Sequence, residues 1–336
     1  MLSGPGHTDG SHRSTAMFEV LKTSRIVANK SAHVWIDEKA VAELCKTWVE
    51  EGVGAPPWDS IHHFEGAPED TIAYLFVLDA LNFCFWPPPG KPRWEIEYES
   101  QRFSGYYALS VSLRRAIGSG IPITKSDFLA NITLEDLKRV LRGKGELQLL
   151  KERVDILREL GQVLLDEYHG EASKFLEAAE NSAIALVYLA SEKLQSFRDV
   201  ALYGRDEVFF YKRAQILASD LHGVFNGADR GHFTDADKLT AFADYKLPQV
   251  LRHLGVLCYK PGLTRKVDHG ILVEGGSIEE VEIRANTIWA VELIQQELES
   301  MGRTFRASEI DGILWNMGQY EAFRAKPYHR TMSIFY

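Results

Sequence analysis

The stretch LQLLKERVDILRELGQVLLDEY, residues 147–168, decides how most of the chain is read. Its apolar residues recur every third or fourth position, as Leu150, Val154, Leu157, Leu160, Leu164 and Tyr168 do. Side chains three and four apart share one face of an α-helix, so this is a long amphipathic helix. Working outward, the same period runs through residues 171–191, 208–225, 247–257, 277–301 and 307–320. Residues 37–52, DEKAVAELCKTWVEEG, add a helix with Asp37 as N-cap and Gly52 as C-cap. Residues 69–86, EDTIAYLFVLDALNFCFW, are apolar nearly all round, which predicts a buried helix ended by the prolines of PPPGKP. Only residues 93–109, RWEIEYES and QRFSGYYAL, show the alternation of a strand pair with a short turn. The expectation is about ten helices and one hairpin: a mainly α fold with a small β part. No fixed repeat period appears, nor a composition break that would mark a linker. Residues 1–27 are expected to be a disordered leader, and residues 28–336 a single domain.

Composition narrows the function. The 336 residues are 45% hydrophobic and 25% charged, which is ordinary for a globular protein. No apolar run approaches the roughly 20 residues of a membrane span. Cys45, Cys84 and Cys258 are far apart and odd in number, which fits a reducing compartment, by default the cytoplasm. No CxxC, HExxH, GxGxxG or GxxxxGK[ST] pattern occurs, so neither a metal nor a dinucleotide or P-loop cofactor is expected. A net charge of −9 speaks against tracking a nucleic-acid backbone. A few local cations could still hold a small anion.

Four stretches carry candidate chemistry. Residues 239–257, LTAFADYKLPQVLRHLGVL, place Asp244 just before a helix whose first turn suits Pro248. A carboxylate there is either a plain cap or, with Phe242 and Tyr245 as walls, a stabiliser of a cation formed in a reaction. Lys212 and Arg213 follow Phe210 and Tyr211, and are either snorkelling cations or a phosphate site. Arg198 and Lys246 stand in reserve for that role. His62 and His63 lie in a loop, where one could contact a base. Asp311 and Trp315 are four apart on one helical face, where an acid beside an indole can hold a cationic amine. Asn316 is close by.

These stretches resemble the queuosine salvage proteins, or queuosine 5′-phosphate N-glycosylase/hydrolases. The matching segments are LNFCFW, RFSGYYAL, GIPIT, ENSA, SFRDV, FYKRAQIL, FADYKLPQVL, VEIRA and the late PYHR. The likeness runs from about Ala28 to Tyr336. It implies a helical architecture similar to helix-hairpin-helix DNA glycosylases. It also implies hydrolysis of the N-glycosidic bond of queuosine 5′-monophosphate, giving queuine for tRNA modification and ribose 5-phosphate. By the resemblance Asp244 is the catalytic aspartate, Phe242 and His62 contact the base, and Asp311 is an acidic ligand contact. The chain departs from the family at Gly312 and Asn316, where members carry Tyr and a second Asp. Asn316 can accept a hydrogen bond there but brings no charge. Two rivals remain open at this point: a DNA or RNA glycosylase, and a non-catalytic protein that sequesters queuine or its nucleotide.

Overall fold

The computed structural model describes residues 18–336, and the periodicity of the sequence does become helix. The described residues form fourteen α-helices and three two-stranded antiparallel sheets. First come α1 (Glu19–Lys30), β1 (Val34–Ile36), α2 (Glu38–Glu51) and α3 (Pro68–Ala80). The hairpin β2 (Glu95–Tyr98) and β3 (Gln101–Ser104) leads into α4 (Tyr106–Gly118). The helical middle is α5 (Ser126–Asn131), α6 (Leu134–Val140), α7 (Leu150–Tyr168), α8 (Ala172–Glu177) and α9 (Ala183–Lys193). A second hairpin, β4 (Val200–Tyr203) and β5 (Asp206–Phe209), precedes α10 (Lys212–Val224). The last part is α11 (Lys246–His253), β6 (Leu257–Tyr259), α12 (Pro261–Asp268), α13 (Ile278–Ser300) and α14 (Ala307–Met317).

Local signals act where they were read. The Asp37 carboxylate accepts from the amides of Lys39 and Ala40 at 3.0 and 3.2 Å, and Gly52 closes α2 in the left-handed region at φ 65°. The expected hairpin pairs Ile96 with Phe103. Two further strand pairs escaped the pattern. In one, β1 joins β6 with Trp35 opposite Cys258, and in the other β4 joins β5. β1 and β6 have only three residues each, and neither VALY of β4 nor DEVF of β5 alternates apolar with polar residues as EIEY of β2 does.

Two expectations are corrected. Phe18 and helix α1 are part of the fold, not of a leader. Val20, Ser24 and Val27 are buried, and the helix packs along α13. Residues 1–17 lie outside the described residues. The helix read over 69–86 stops at Ala80, and residues 82–86 run on as buried irregular chain. Its stop is built by three buried cations rather than by the prolines. Arg153 donates to the carbonyls of Leu81 (2.6 Å), Phe83 (2.5 Å) and Cys84 (3.2 Å). Lys212 donates to the Asn82 carbonyl at 2.9 Å, and Arg213 to that of Ala80. Positive charge at a helix C-terminus is favourable, and these donors satisfy carbonyls that a helix end leaves open.

The apolar side chains gather in two cores. One is built on α3, α4, α7, α9 and α10, the other on α2, α11, α14 and the β1–β6 pair. Helix α13 serves both, giving Val281, Ala285 and Ile288 to the first and Ile283, Val291 and Ile294 to the second. No described helix is long and apolar enough to cross a membrane.

Candidate active site

The link from Leu239 to Asp244 threads between the two cores. Its side chains alternate, Leu239 and Ala243 facing the first core and Ala241 the second. Extended chain buried between cores needs partners for its backbone. Side chains of three helices supply them. Gln215 of α10 accepts from the Thr240 amide at 2.9 Å, and Asp311 of α14 from the Phe242 amide at 2.7 Å. Arg284 of α13 donates to the Ala243 carbonyl at 3.0 Å. Arg284 is itself held by both oxygens of Asp199, at 2.9 and 2.6 Å.

At the end of this link the Asp244 Oδ1 accepts from the amides of Lys246 (2.7 Å) and Leu247 (2.8 Å), the open first turn of α11. The ordinary reading of this residue, a helix cap, is therefore correct for one oxygen. Oδ2 has no hydrogen-bond partner among the described residues, and the side chain borders two cavities. Burial raises the Asp244 pKa, while Lys212, the two amides and the Lys246 ammonium pull it back.

The two cavities share Asn82, Tyr106, Tyr107, Lys212, Asp244 and Trp315. The first, of about 680 Å³, carries Arg93, Arg102, Lys246, Arg324 and Arg330 around the shared Lys212, against the acids Asp244 and Asp268. Lys246 donates to Gln249 at 3.0 Å, and burial pulls its pKa down to about 8. Its stem lies against Gly318, where a Cβ would fall 2.5 Å from Lys246 Cδ, so the end of α14 comes this close only as glycine.

The second, of about 840 Å³, is bordered by Asp59, Asp220, Asp244, Glu309 and Asp311, against the cations Lys212 and Arg306. Phe242, His62, Asn316 and Trp315 line it as well. His62 Nδ1 lies 2.6 Å from Asp59 Oδ2, and its ring centroid is 4.5 Å from that of Tyr107. Trp315 stands edge-on to Tyr106 and Tyr107, at 5.6 and 5.4 Å. Burial raises the Asp311 carboxyl well above the usual carboxylate range. At Gly312 a Cβ would stand 3.3 Å from the Pro56 ring, so the loop occupies room that a larger side chain would need.

The structure thus brings together Asp244, Phe242, His62, Asp311, Asn316 and Lys212. Arg213 and Arg198 stay outside both cavities. Arg213 is 1% exposed, stacked between Phe83 and Phe197 and donating to the carbonyls of Ala80 and Ser196. The expected phosphate role does not fit a guanidinium buried in the core, with Nη1 and Nη2 given to carbonyls and no part of it lining either cavity. Arg198 is exposed, and its neighbour Asp199 is held by Arg284. Lys246, the other reserve, is in place. Sequence reasoning missed Arg93, Arg102, Arg324 and Arg330, which come from separate parts of the chain, Arg102 on β3 and Arg324 in a 3-10 turn at Glu321–Ala325. Arg102 and Arg330 nonetheless lie inside RFSGYYAL and PYHR, segments already singled out. It also missed Asp220, two turns beyond Lys212 on α10. Among the described residues no group of three or more His, Cys, Asp or Glu is arranged to hold a metal.

A family described as queuosine salvage protein matches residues 62–336. A Sphaerobacter thermophilus protein named queuosine 5′-phosphate N-glycosylase/hydrolase is 47% identical over 94% of this chain and 97% of its own length. Proteins of the same name from Bos taurus and Schizosaccharomyces pombe are 33% and 32% identical. The alignments cover 94% and 95% of this chain, and 98% and 96% of theirs.

Proposed function

The chain belongs to the queuosine salvage protein family, and from that premise we propose that it hydrolyses the N-glycosidic bond of queuosine 5′-monophosphate, freeing queuine and ribose 5-phosphate. One observation carries the reading: a cation-rich cavity and an acid-rich cavity meet at the Asp244 carboxylate. The substrate has the matching polarity. Its phosphate is an anion, its base bears an amine side arm, and the bond to be broken lies between them. Placing the phosphate among Lys246, Arg93 and Arg330 puts the ribose C1′ beside Asp244 and the base among Phe242, His62 and Trp315. Asp311 then receives the amine, with Asn316 as a neutral acceptor beside it.

As the bond stretches, positive charge grows on C1′ and the ring oxygen. Oδ2 of Asp244 faces that charge in a site walled by aromatic rings, where an ion interacts more strongly than in water. Lys212, whose pKa burial lowers to about 8, is still largely an ammonium at neutral pH and favours the ionised form of Asp244 by its proximity. We take residues 19–336 as one catalytic unit, because the site draws Lys212 from the first core and Asp311 from the second. Free Cys45, Cys84 and Cys258 support a reducing compartment such as the cytoplasm.

The test is chromatographic release of queuine from queuosine 5′-monophosphate by wild type and by Asp244→Asn. Turnover by wild type, with a loss of about 10²-fold or more in the variant and binding retained, is the expected result. Equal activity of the two removes Asp244 from the chemistry. Binding of queuine without turnover by either makes the protein a sequestering one.

A further inference from the structure

The acid-rich cavity is bordered by a hydrogen-bond chain whose direction is fixed. His63 is 5% exposed, and its Nδ1 lies 2.6 Å from the Asp59 carbonyl oxygen. A carbonyl only accepts, so Nδ1 carries the hydrogen. Burial pulls the His63 pKa down, which leaves the ring neutral and Nε2 an acceptor. The Tyr106 hydroxyl is 2.8 Å from that Nε2 and therefore donates to it. A hydroxyl has one hydrogen, so towards any other neighbour its oxygen can only accept. The Asp220 carboxyl lies nearby, and a hydrogen from Tyr106 would favour its ionised form, but that hydrogen is already given to His63. A carboxylate denied that donor takes up a proton more readily.

The surroundings push the same way. Asp79 of α3 stands beside Asp220, fully buried, with neither oxygen in a hydrogen bond. Two buried carboxyls side by side do not both ionise. Asp220 Oδ2 is likewise buried without a partner. Facing Asp220 are Asp79 and Tyr74 from α3, Tyr106 from α4, Lys212 from its own helix and Asp311 from α14. Lys212 favours the ionised form, as would a hydrogen bond from Tyr106, whose hydrogen is committed to His63. Burial prevails and raises the Asp220 pKa to about 7.

Building on the reaction proposed above, we infer that Asp220 is the general acid, protonating the departing 7-deazapurine as its bond to C1′ breaks. The base needs such help, since it has no N7 to take a proton. The electron pair of the C1′–N bond leaves with the base, and the Asp220 proton goes to a nitrogen of the base. A water adds its hydroxyl to C1′ and passes its remaining proton to the Asp244 carboxylate. Solvent then returns a proton to Asp220 and removes the one on Asp244.

The test compares two substrates. Queuosine 5′-monophosphate must have its leaving group protonated, whereas 4-nitrophenyl riboside 5-phosphate releases a stable phenolate. Asp220→Asn is expected to lose about 10²- to 10³-fold in single-turnover rate on the first. On the second it should stay within about threefold of wild type. The wild-type rate on the first should fall as pH rises through about 7, and the variant should lack that limb. Equal losses on both substrates, or an alkaline limb that survives in the variant, overturn the inference. If the variant does not fold, wild type decides, because the limb must be present with the deazapurine and absent with the nitrophenyl substrate. If wild type does not cleave the nitrophenyl compound, the limb in wild type and variant on the natural substrate decides. A wild type that cleaves neither substrate fails the proposed function itself, a different result from an Asp220→Asn without effect.

Discussion

The two cavities share one carboxylate, one ammonium and three aromatic rings, yet they are electrostatic opposites. One surrounds Lys212 with five further cations, while the other surrounds it with five acids. They also differ in origin. The acidic side is assembled from helices, with Asp220 on α10 and Asp311 on α14, and from the Asp59–His62 loop. The cationic side is more mixed, with Lys246 on α11, Arg102 on β3, Arg324 in a 3-10 turn, and Arg93 and Arg330 on chain outside the named elements. On the proposed reading, the polarity of the substrate is matched by a charge gradient across a fixed point, with Asp244 where the sign changes.

The comparison breaks most sharply at that point. Asp244→Asn should lower kcat by about 10²- to 10³-fold without weakening binding on either side. Next in size is a change outside both cavities. Arg213→Met leaves the carbonyls of Ala80 and Ser196 buried without donors, at a cost of about 2–4 kcal/mol in stability by denaturant titration. Michaelis constants should stay as they are, and a selective rise for the phosphorylated substrate would return Arg213 to the site.

The cationic side is then sharpened at Lys246. Lys246→Ala should raise KM about tenfold for the 5′-phosphate and hardly at all for the bare nucleoside, as the loss of one charge-assisted bond requires. The same residue gives a pH signature. With a pKa lowered to about 8, Lys246 is an ammonium below that pH and neutral above it. Wild-type KM for the phosphate should therefore climb above pH 8 towards the variant's value, and the nucleoside should show no such climb. A parallel climb for both substrates would remove Lys246 from phosphate binding. The smallest effect belongs to the acidic side. Asn316→Asp adds one charge near the amine and should tighten binding by about threefold, on the scale of a partly exposed ion pair.

What could be read from the sequence follows from the range of the forces involved. Helix periods, the Asp37 and Gly52 caps and the β2–β3 hairpin are set within a few residues, and these were legible. The β1–β6 pair joins residues far apart in the chain, and the end of α3 is set by Arg153, Lys212 and Arg213 from elsewhere. No local pattern announces either. Adjacent Lys212 and Arg213 make the limit plain. They look alike beside the same aromatics, yet successive helix positions point about 100° apart, and one faces the cavities while the other faces the core. Asp244, Phe242, His62 and Asp311 were assigned through motif likeness, Asn316 was noted beside Asp311 as a departure from the family, and all five line the acid-rich cavity. Asp220 carried no motif, and its role depends on a buried tyrosine and histidine that the sequence does not place beside it.

The pair of hydrogen bonds that Asp244 Oδ1 accepts from α11 has a mechanical consequence. A free carboxylate spins about its last torsion and must stop spinning to serve a cation. Here two amides have already stopped it, at 2.7 and 2.8 Å. Oδ2 is consequently aimed before substrate arrives, and no reorientation has to occur during bond cleavage. The helix cap and the proposed catalytic group are one object, a clamp whose jaw is an oxygen, and lengthening it by one methylene in Asp244→Glu would loosen the clamp even though the charge is kept.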